Sequence, residues 1–243
     1  MAELIWKDCK LYLGQYDLTG AHNAINLKYS AEMKDNTHYG DGGRMRKAGL
    51  TDIELASQGY YDGAQDDVDE VLMTNLAVAD TPVSICPTDG TDGSLCYFFK
   101  GTQGVYTPFN AGQIGEPLMF DVNANGGGQP LVRGTVLGTG AKTSTQNGTA
   151  RNLGAVASGQ YLWAVVHCTA ASAGDTLDLT IESDAAENFL SPTTRITFAQ
   201  ITAVSSIFVT QVAGPITDTW WRAVWTIGGV DPSFTIMTAV GIK

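Results

Sequence analysis

A segment of the chain nearly repeats itself at a fixed distance. Ala111-Gly112-Gln113-Ile114 returns as Ala213-Gly214-Pro215-Ile216. At the same offset of 102 residues Val122 meets Val224, Gly126-Gly127 meets Gly228-Gly229, and Pro130 meets Pro232. Seven identities fall in a gap-free window of twenty, where average composition gives roughly one or two by chance. The flanks agree in character, with Val105-Tyr106 over Ile207-Phe208 and Leu118-Met119 over Trp220-Trp221. Repetition constrains architecture before local propensity does, and here it predicts two related β units in tandem.

Alternation supports that reading. Ile25, Leu27, Tyr29, Ala31 and Met33 alternate with Asn26, Lys28, Ser30, Glu32 and Lys34, the pattern of a half-buried strand. Leu50 to Gln58 repeats it, with Ile53 and Leu55 against Asp52 and Glu54. Between them lies a glycine-rich loop with charges at both ends, Asp35 to Lys47, too long for a tight hairpin. Asp66 to Leu76 has apolar residues at helical spacing and four carboxylates in its first turn, which complement the helix dipole and explain the acidic cluster without a metal. Further strands are expected at 83–86, 95–101, 105–109, 118–122, 131–137, 161–169, 177–183, 195–201, 207–212, 220–227 and 234–240, with a short helix at Asp184 to Leu190. The fold class expected is mainly β: two antiparallel sandwich or barrel-like units, 1–138 and 156–243, each with a helix on its sheet, joined by a linker over 139–155.

Charge narrows the partners. The net charge is −11, which argues against a grip on nucleic-acid backbone, since that needs clustered Lys and Arg. Residues 1–137 carry 18 acidic and 9 basic side chains, so nearly all of the field belongs to them. No run has the length of a membrane-spanning helix, and the first residues lack the pattern of a secretion signal, so synthesis in a cytoplasm is expected. Cys86 and Cys96 flank a turn-rich segment and are expected to face each other as free thiols; Cys9 and Cys168 read as core.

No catalytic constellation emerges. His22, His38 and His167 lack metal-ligand spacing. Asp35, His38 and Asp41 read as a solvated cluster in a polar loop. Asp121-Val122-Asn123-Ala124-Asn125-Gly126 matches half of a calcium loop, but its twelfth position is Val132 where a bidentate Glu is needed. Gly140-Ala141-Lys142-Thr143 lacks the glycine and the helix of a phosphate loop. The expectation is no enzyme, no cofactor and no metal. Trp221 and Trp225 share a face with Ala223 while Trp220 points opposite with Arg222 and Val224; one face must be buried, so part of this set is core, and a remaining Trp is left to stack on sugar or seal an interface.

The order of these features resembles a family. Leu11-Tyr12-Leu13-Gly14-Gln15-Tyr16-Asp17-Leu18-Thr19-Gly20, the Ile25 strand, the loop with Gly40-Asp41-Gly42-Gly43-Arg44, and Leu50-Thr51-Asp52-Ile53-Glu54-Leu55 follow one another. Gly59-Tyr60-Tyr61-Asp62, the acidic-start helix, and Leu131-Val132-Arg133-Gly134-Thr135-Val136-Leu137 then close the run. Over most of residues 8–138 this resembles the major tail tube proteins of long-tailed bacteriophages. The resemblance implies a structural virion protein, assembled in the host cytoplasm, whose sheets fuse into stacked rings around a DNA conduit. It implies that the loop residues His38, Tyr39, Arg44, Met45, Arg46 and Lys47 reach the adjacent ring.

Partners would be further copies of the chain, in rings of three or six, together with other tail proteins; DNA would pass without specific binding and no membrane is involved. The repeat favours three chains, since three pairs of units satisfy a pseudo-sixfold ring; the second unit lacks a counterpart of the long loop, so it either lines the lumen as the first does or decorates the outside as an immunoglobulin-like appendage would. An acidic lining repels phosphate, so Asp52, Glu54, Asp178 and Glu182 are expected to face the lumen. The rival reading is a capsid-decorating or receptor- or glycan-binding β-sandwich protein of a phage.

Overall fold

A computed structural model describes residues 8–64, 67–110 and 114–243. The start of the chain through Lys7, Asp66 of the expected helix and Ala111–Gln113 of the repeat lie outside the described residues. In chain order the elements are β1 (Lys10–Leu13), β2 (Tyr16–Asp17), β3 (His22–Asp35), β4 (Arg46–Tyr60), α1 (Val68–Thr74), β5 (Thr81–Cys86), β6 (Leu95–Thr107), β7 (Met119–Gly126) and β8 (Val132–Lys142). Next come β9 (Gln146–Asn147), β10 (Arg151–Asn152), β11 (Tyr161–Ala171), β12 (Thr176–Asp184), β13 (Thr193–Thr197), β14 (Ser205–Ala213), β15 (Trp220–Gly228) and β16 (Phe234–Ile242). The protein is mainly β, 57% strand and 3% helix.

The chain folds as two compact units, one inserted in the other. A sandwich unit holds Met1–Gly20, Thr81–Phe99 and Val132–Lys243, and an arm unit holds Ala21–Asp80 and Lys100–Leu131. This differs from a tandem division at 138/139, because β8 runs through that point. The expected linker over 139–155 is bound into sheets: Gln146, Asn147, Arg151 and Asn152 all pair with β15. Its glycines admit a neighbour, since a Cβ on Gly148 would lie 2.9 Å from the Ala223 carbonyl oxygen and 3.3 Å from the Trp225 ring.

In the sandwich unit one sheet runs β14-β11-β16-β8-β6-β5-β1-β2, with β6 contributing its first residues, and the other runs β10-β15-β12-β13. β11 is buried on both faces, which is why Tyr161 to Ala171 reads as a nearly unbroken apolar run. Its Leu162, Ala164, Val166 and Cys168 pack against Leu177, Leu179, Ile181, Trp221 and Trp225. Its Trp163 and Val165 join Tyr12, Phe98, Val132 and Met237 on the other side. Of the two Trp faces the one carrying Trp221 and Trp225 is buried, at 0% and 3% exposure. Cys86, Cys96 and Cys168 are buried free thiols, and Cys9 is half-buried.

The expected helix at Asp184 to Leu190 is replaced by turns. Asp184 takes the Ala186 and Ser191 amides at 3.0 and 2.8 Å, and Phe189 sits at φ 47°, a conformation no right-handed helix contains. The repeat survives as a succession of elements. β8 and β16 both begin at matched residues, Val132 and Phe234, and β7 and β15 both end at matched glycines, Gly126 and Gly228. Yet β7 pairs with β4 and β6, whereas β15 pairs with β12. Only β8 and β16 pair with each other, Gly134 opposite Gly241 and Lys142 opposite Phe234.

The arm unit is a four-stranded antiparallel sheet, β3-β4-β7-β6, in which β6 contributes Gly101 to Thr107. One face is apolar: Ile53, Leu55, Phe120, Val122 and Ala124 are buried, as are Val68, Val71 and Leu72 of α1. The helix begins at Asp67, whose side chain accepts the Val68 amide at 2.7 Å. It is fixed on the sheet by Tyr106, whose hydroxyl donates to Asp69 at 2.6 Å, and by Gln103, whose amide donates to the Leu72 carbonyl at 2.7 Å. The two strands expected at 95–101 and 105–109 are one strand, bent by a bulge between Gln103 and Val105.

Candidate functional site

The long loop and its flanking strands form an exposed arm. β3 and β4 stay paired from His22↔Gly59 to Asp35↔Arg46, with a bulge near Ala31 that shifts the register. From Ala31 to Thr51 nearly every residue is exposed, so the outer half of the hairpin has no covering layer on either face. Of the strand expected to be half-buried, Ile25 and Leu27 are, but Tyr29 and Met33 are 42% and 54% exposed, with Leu50 at 84% opposite the bulge.

The loop is held open by its own polar groups. Asp35 accepts the Thr37 amide and hydroxyl at 2.9 and 2.5 Å; Thr37 in turn accepts the Met45 amide at 3.0 Å, and the Asn36 amide reaches the Met45 carbonyl at 2.8 Å. The Thr37 bonds hold the Asp35 carboxyl below its ordinary range. Asp41 takes the His38 amide at 2.7 Å. The six residues His38, Tyr39, Arg44, Met45, Arg46 and Lys47 are therefore together, and all are exposed. Asp35, His38 and Asp41 form no metal cluster among the described residues.

The sheet face away from α1 is polar and carries an open groove lined by Ala24, Asn26, Ala56, Gln58, Asp121 and Asn123. Asp52 and Glu54 belong to this face, and Glu54 is paired with Lys28 at 3.1 Å. Asp121, Asn123 and Asn125, which matched half of a calcium loop, alternate along β7, and Asn110 donates to Asp121. A straight strand spreads these oxygens too far apart to surround one ion.

Asp178 and Glu182 lie in the other unit, on the polar side of β12. Asp178 accepts from Gln200 at 3.0 Å, and Glu182 is locked to Arg222 at 2.8 Å, both side chains being about four-fifths buried. The structure thus brings Asp52 and Glu54 onto one face and places the other two carboxylates in a separate unit.

Two histidines invisible to spacing arguments turn out to be structural. His167 is buried; its Nδ1 donates to the Gly14 carbonyl at 2.6 Å, and Ser84 then donates to Nε2 at 2.8 Å. Desolvation pushes its pKa down to about 4. His22 bonds Ser57 under the edge of the Phe120 ring, and burial likewise brings it to about 4. The Ser84–His167 contact is sealed in a core; Ser57 lines the open groove of the arm sheet, where its hydroxyl donates to the Ala24 carbonyl at 2.9 Å and meets His22. No described helix is long and apolar enough to cross a membrane.

No protein-family model matches the chain, and no curated protein does. Among solved structures, the chain is similar to the Dit (gp 19.1) protein of phage SPP1, described as a paradigm of the hub adsorption apparatus in phages infecting Gram-positive hosts. That match has 12% identity over 98% of this chain and 100% of the other, at a TM-score of 0.39. The sheath/tube terminator of the extracellular contractile injection system PVC aligns with 55% of this chain and 97% of its own, at 8% identity and 0.44. A chain from a native gene transfer agent virion aligns with 50% of this chain and 92% of its own, at 15% identity and 0.40.

Proposed function

We propose that this chain is a structural subunit of a phage-type tail tube, in which copies close into rings and the rings stack around a bore. The observation that carries the reading is the open pair of edges on the arm-unit sheet. Among the described residues β3, fourteen residues long, pairs with β4 alone. At the far edge, β6 pairs with β7 from Gly101 to Thr107 and on its other side makes a single bridge, Gln103↔Leu76, among the described residues.

Long open edges are templates for pairing with another chain. With four alternating strands, β3 and β6 run in opposite directions, so rotation about an axis along the strands sets the β6 of one copy antiparallel to the β3 of the next. A heterologous contact of this kind closes into a ring.

The two faces then divide the labour. The α1 side is an apolar layer and faces outward; the other side, with Asp52, Glu54, Gln58, Asn123 and the Lys28–Glu54 pair, lines the bore. Such a wall offers phosphate amides and carboxylates rather than a cluster of cations, so DNA slides without being held. Each chain supplies one arm-bearing sheet, which favours six chains per ring over three. Electron microscopy of the purified protein tests the reading: rings with a central bore, or stacked tubes, are expected, and native mass gives six copies. Compact particles without a bore overturn it and favour the decorating role.

A further inference from the structure

The arm has a complementary surface at the opposite end of its own sheet. β4 runs from Arg46 at the arm to Tyr60, a span of about 45 Å at ordinary strand rise. At the Tyr60 end, β7 begins and β6 finishes, with Tyr60 opposite Met119 and Thr107 opposite Asp121. There Tyr60, Phe109 and Leu118 are 50%, 62% and 40% exposed, and Phe109 lies 5.1 Å from the Tyr61 ring. Around this apolar patch the charge is of one sign. Asp62, Asp67, Asp69, Glu70 and Glu116 are all acidic, and residues 59–76 and 105–126 contain no Lys or Arg.

The arm tip is the counterpart. Arg44, Arg46 and Lys47 fall within four residues, flanked by exposed Met45. Lys47 stands directly opposite Lys34 in the β3–β4 register. Like charges facing across a strand pair are unfavourable; Glu32 is paired with Lys34, and Lys47 has no ion pair among the described residues. Asp35 and Asp41 keep their charge while accepting amides inside the loop, so residues 35–47 carry three cations against two carboxylates, with the cations gathered at one end, Arg44–Lys47.

We infer that the acidic, aromatic end of the arm unit, built on Tyr60, Asp62, Phe109, Glu116 and Leu118, is the docking surface for the Arg44–Lys47 tip of a second copy of this chain. The inference rests on the stacked-ring reading and adds the acceptor. Tip and acceptor lie at opposite ends of one sheet, so the contact is head to tail and propagates without closing, as a stack of rings requires. Met45 supplies the apolar contact, and the three cations supply attraction and register.

Two experiments on the full-length chain test it. With Met45→Cys and Phe109→Cys in one chain, mild oxidation of assembled protein is expected to give a ladder of multimers on a non-reducing gel. Reversal of the tip (R44E/R46E/K47E) or of the acceptor (D62K/E116K) lowers tube yield by at least about tenfold, and combining them restores it. Circular dichroism of the monomers confirms that the folds are intact. Tubes that form without the cross-link overturn the inference while leaving the stacked-ring reading in place. Wild-type protein that never assembles overturns both.

Discussion

The side-chain amide of Gln103 reaches across 2.7 Å to the main-chain carbonyl of Leu72, in the last turn of the protein's helix. That carbonyl belongs to the set a helix leaves without internal partners at its C-terminus. Gln103 is 1% exposed and lies on β6, so one buried bond ties the helix to the strand that ends the sheet. Gln103→Ala removes the donor and strands the carbonyl. Urea denaturation is expected to show a loss of about 1–3 kcal/mol, with secondary structure otherwise retained.

Gly59, at the base of the arm, is a second point of control. A Cβ there would lie 2.1 Å from the Ala21 carbonyl oxygen and 2.7 Å from the Phe120 ring. The oxygen belongs to the backbone and cannot swing aside, while Phe120 is fully buried. Gly59→Ala is therefore expected to cost about 2 kcal/mol or more and to impair assembly, read by melting temperature and by electron microscopy.

The protein should lose stability on mild acidification. His22 and His167 have folded-state pKa values of about 4, below the ordinary 6.5, because burial disfavours their charged forms. The unfolded chain therefore takes up protons first. Stability is full above pH 6.5 and falls as pH drops towards 4, by about 1 kcal/mol per pH unit for each histidine. His167→Gln is expected to flatten that slope by about half in a chemical denaturation series run between pH 4.5 and 7.5.

Arg195 holds Asp218 at 2.9 Å and Ser183 at 2.8 Å, and the Ser183 hydroxyl donates to the same carboxylate at 2.6 Å. These bonds hold the Asp218 carboxyl below its ordinary range, so its contribution is present above about pH 4 and is lost as pH falls through the folded value. Asp218→Asn keeps the shape and removes the charge. A loss of about 1–2 kcal/mol at pH 7 is expected, with a smaller difference from wild type at pH 3.

The bore assignment is read by thiol labelling of assembled tubes. Asp52→Cys is expected to react with a small maleimide and to be protected from one carrying a large polymer, which cannot enter the bore. Asp178→Cys, on the other unit, reports whether β12 faces the same space. Equal reaction of Asp52→Cys with both reagents places that carboxylate outside.

The sequence by itself determined the mainly β character, because alternation in β4, β7, β12 and β15 reflects one buried face per strand, and burial follows the side-chain period of two. It also determined that one face of the Trp220–Trp225 run is buried, though not which, and the position of the arm, since a charged, glycine-rich stretch between two alternating runs has nowhere to be but exposed. The repeat matched one pair of strand starts, Val132 and Phe234, and one pair of strand ends, Gly126 and Gly228.

Partners were another matter. β7 and β15 look alike in sequence yet join different sheets, since pairing depends on which edges the rest of the chain brings near. The insertion of the arm unit, the sheet-bound state of 139–155, and the turn that replaces a helix at Asp184 were decided the same way, by long-range contacts. So was the division of the carboxylates, Glu54 and Glu182 both meeting cations that sit 26 and 40 residues away in sequence. Local propensity sets what a segment prefers. Only tertiary packing decides which preference prevails, because the free energy of burial belongs to pairs of distant residues rather than to either segment alone.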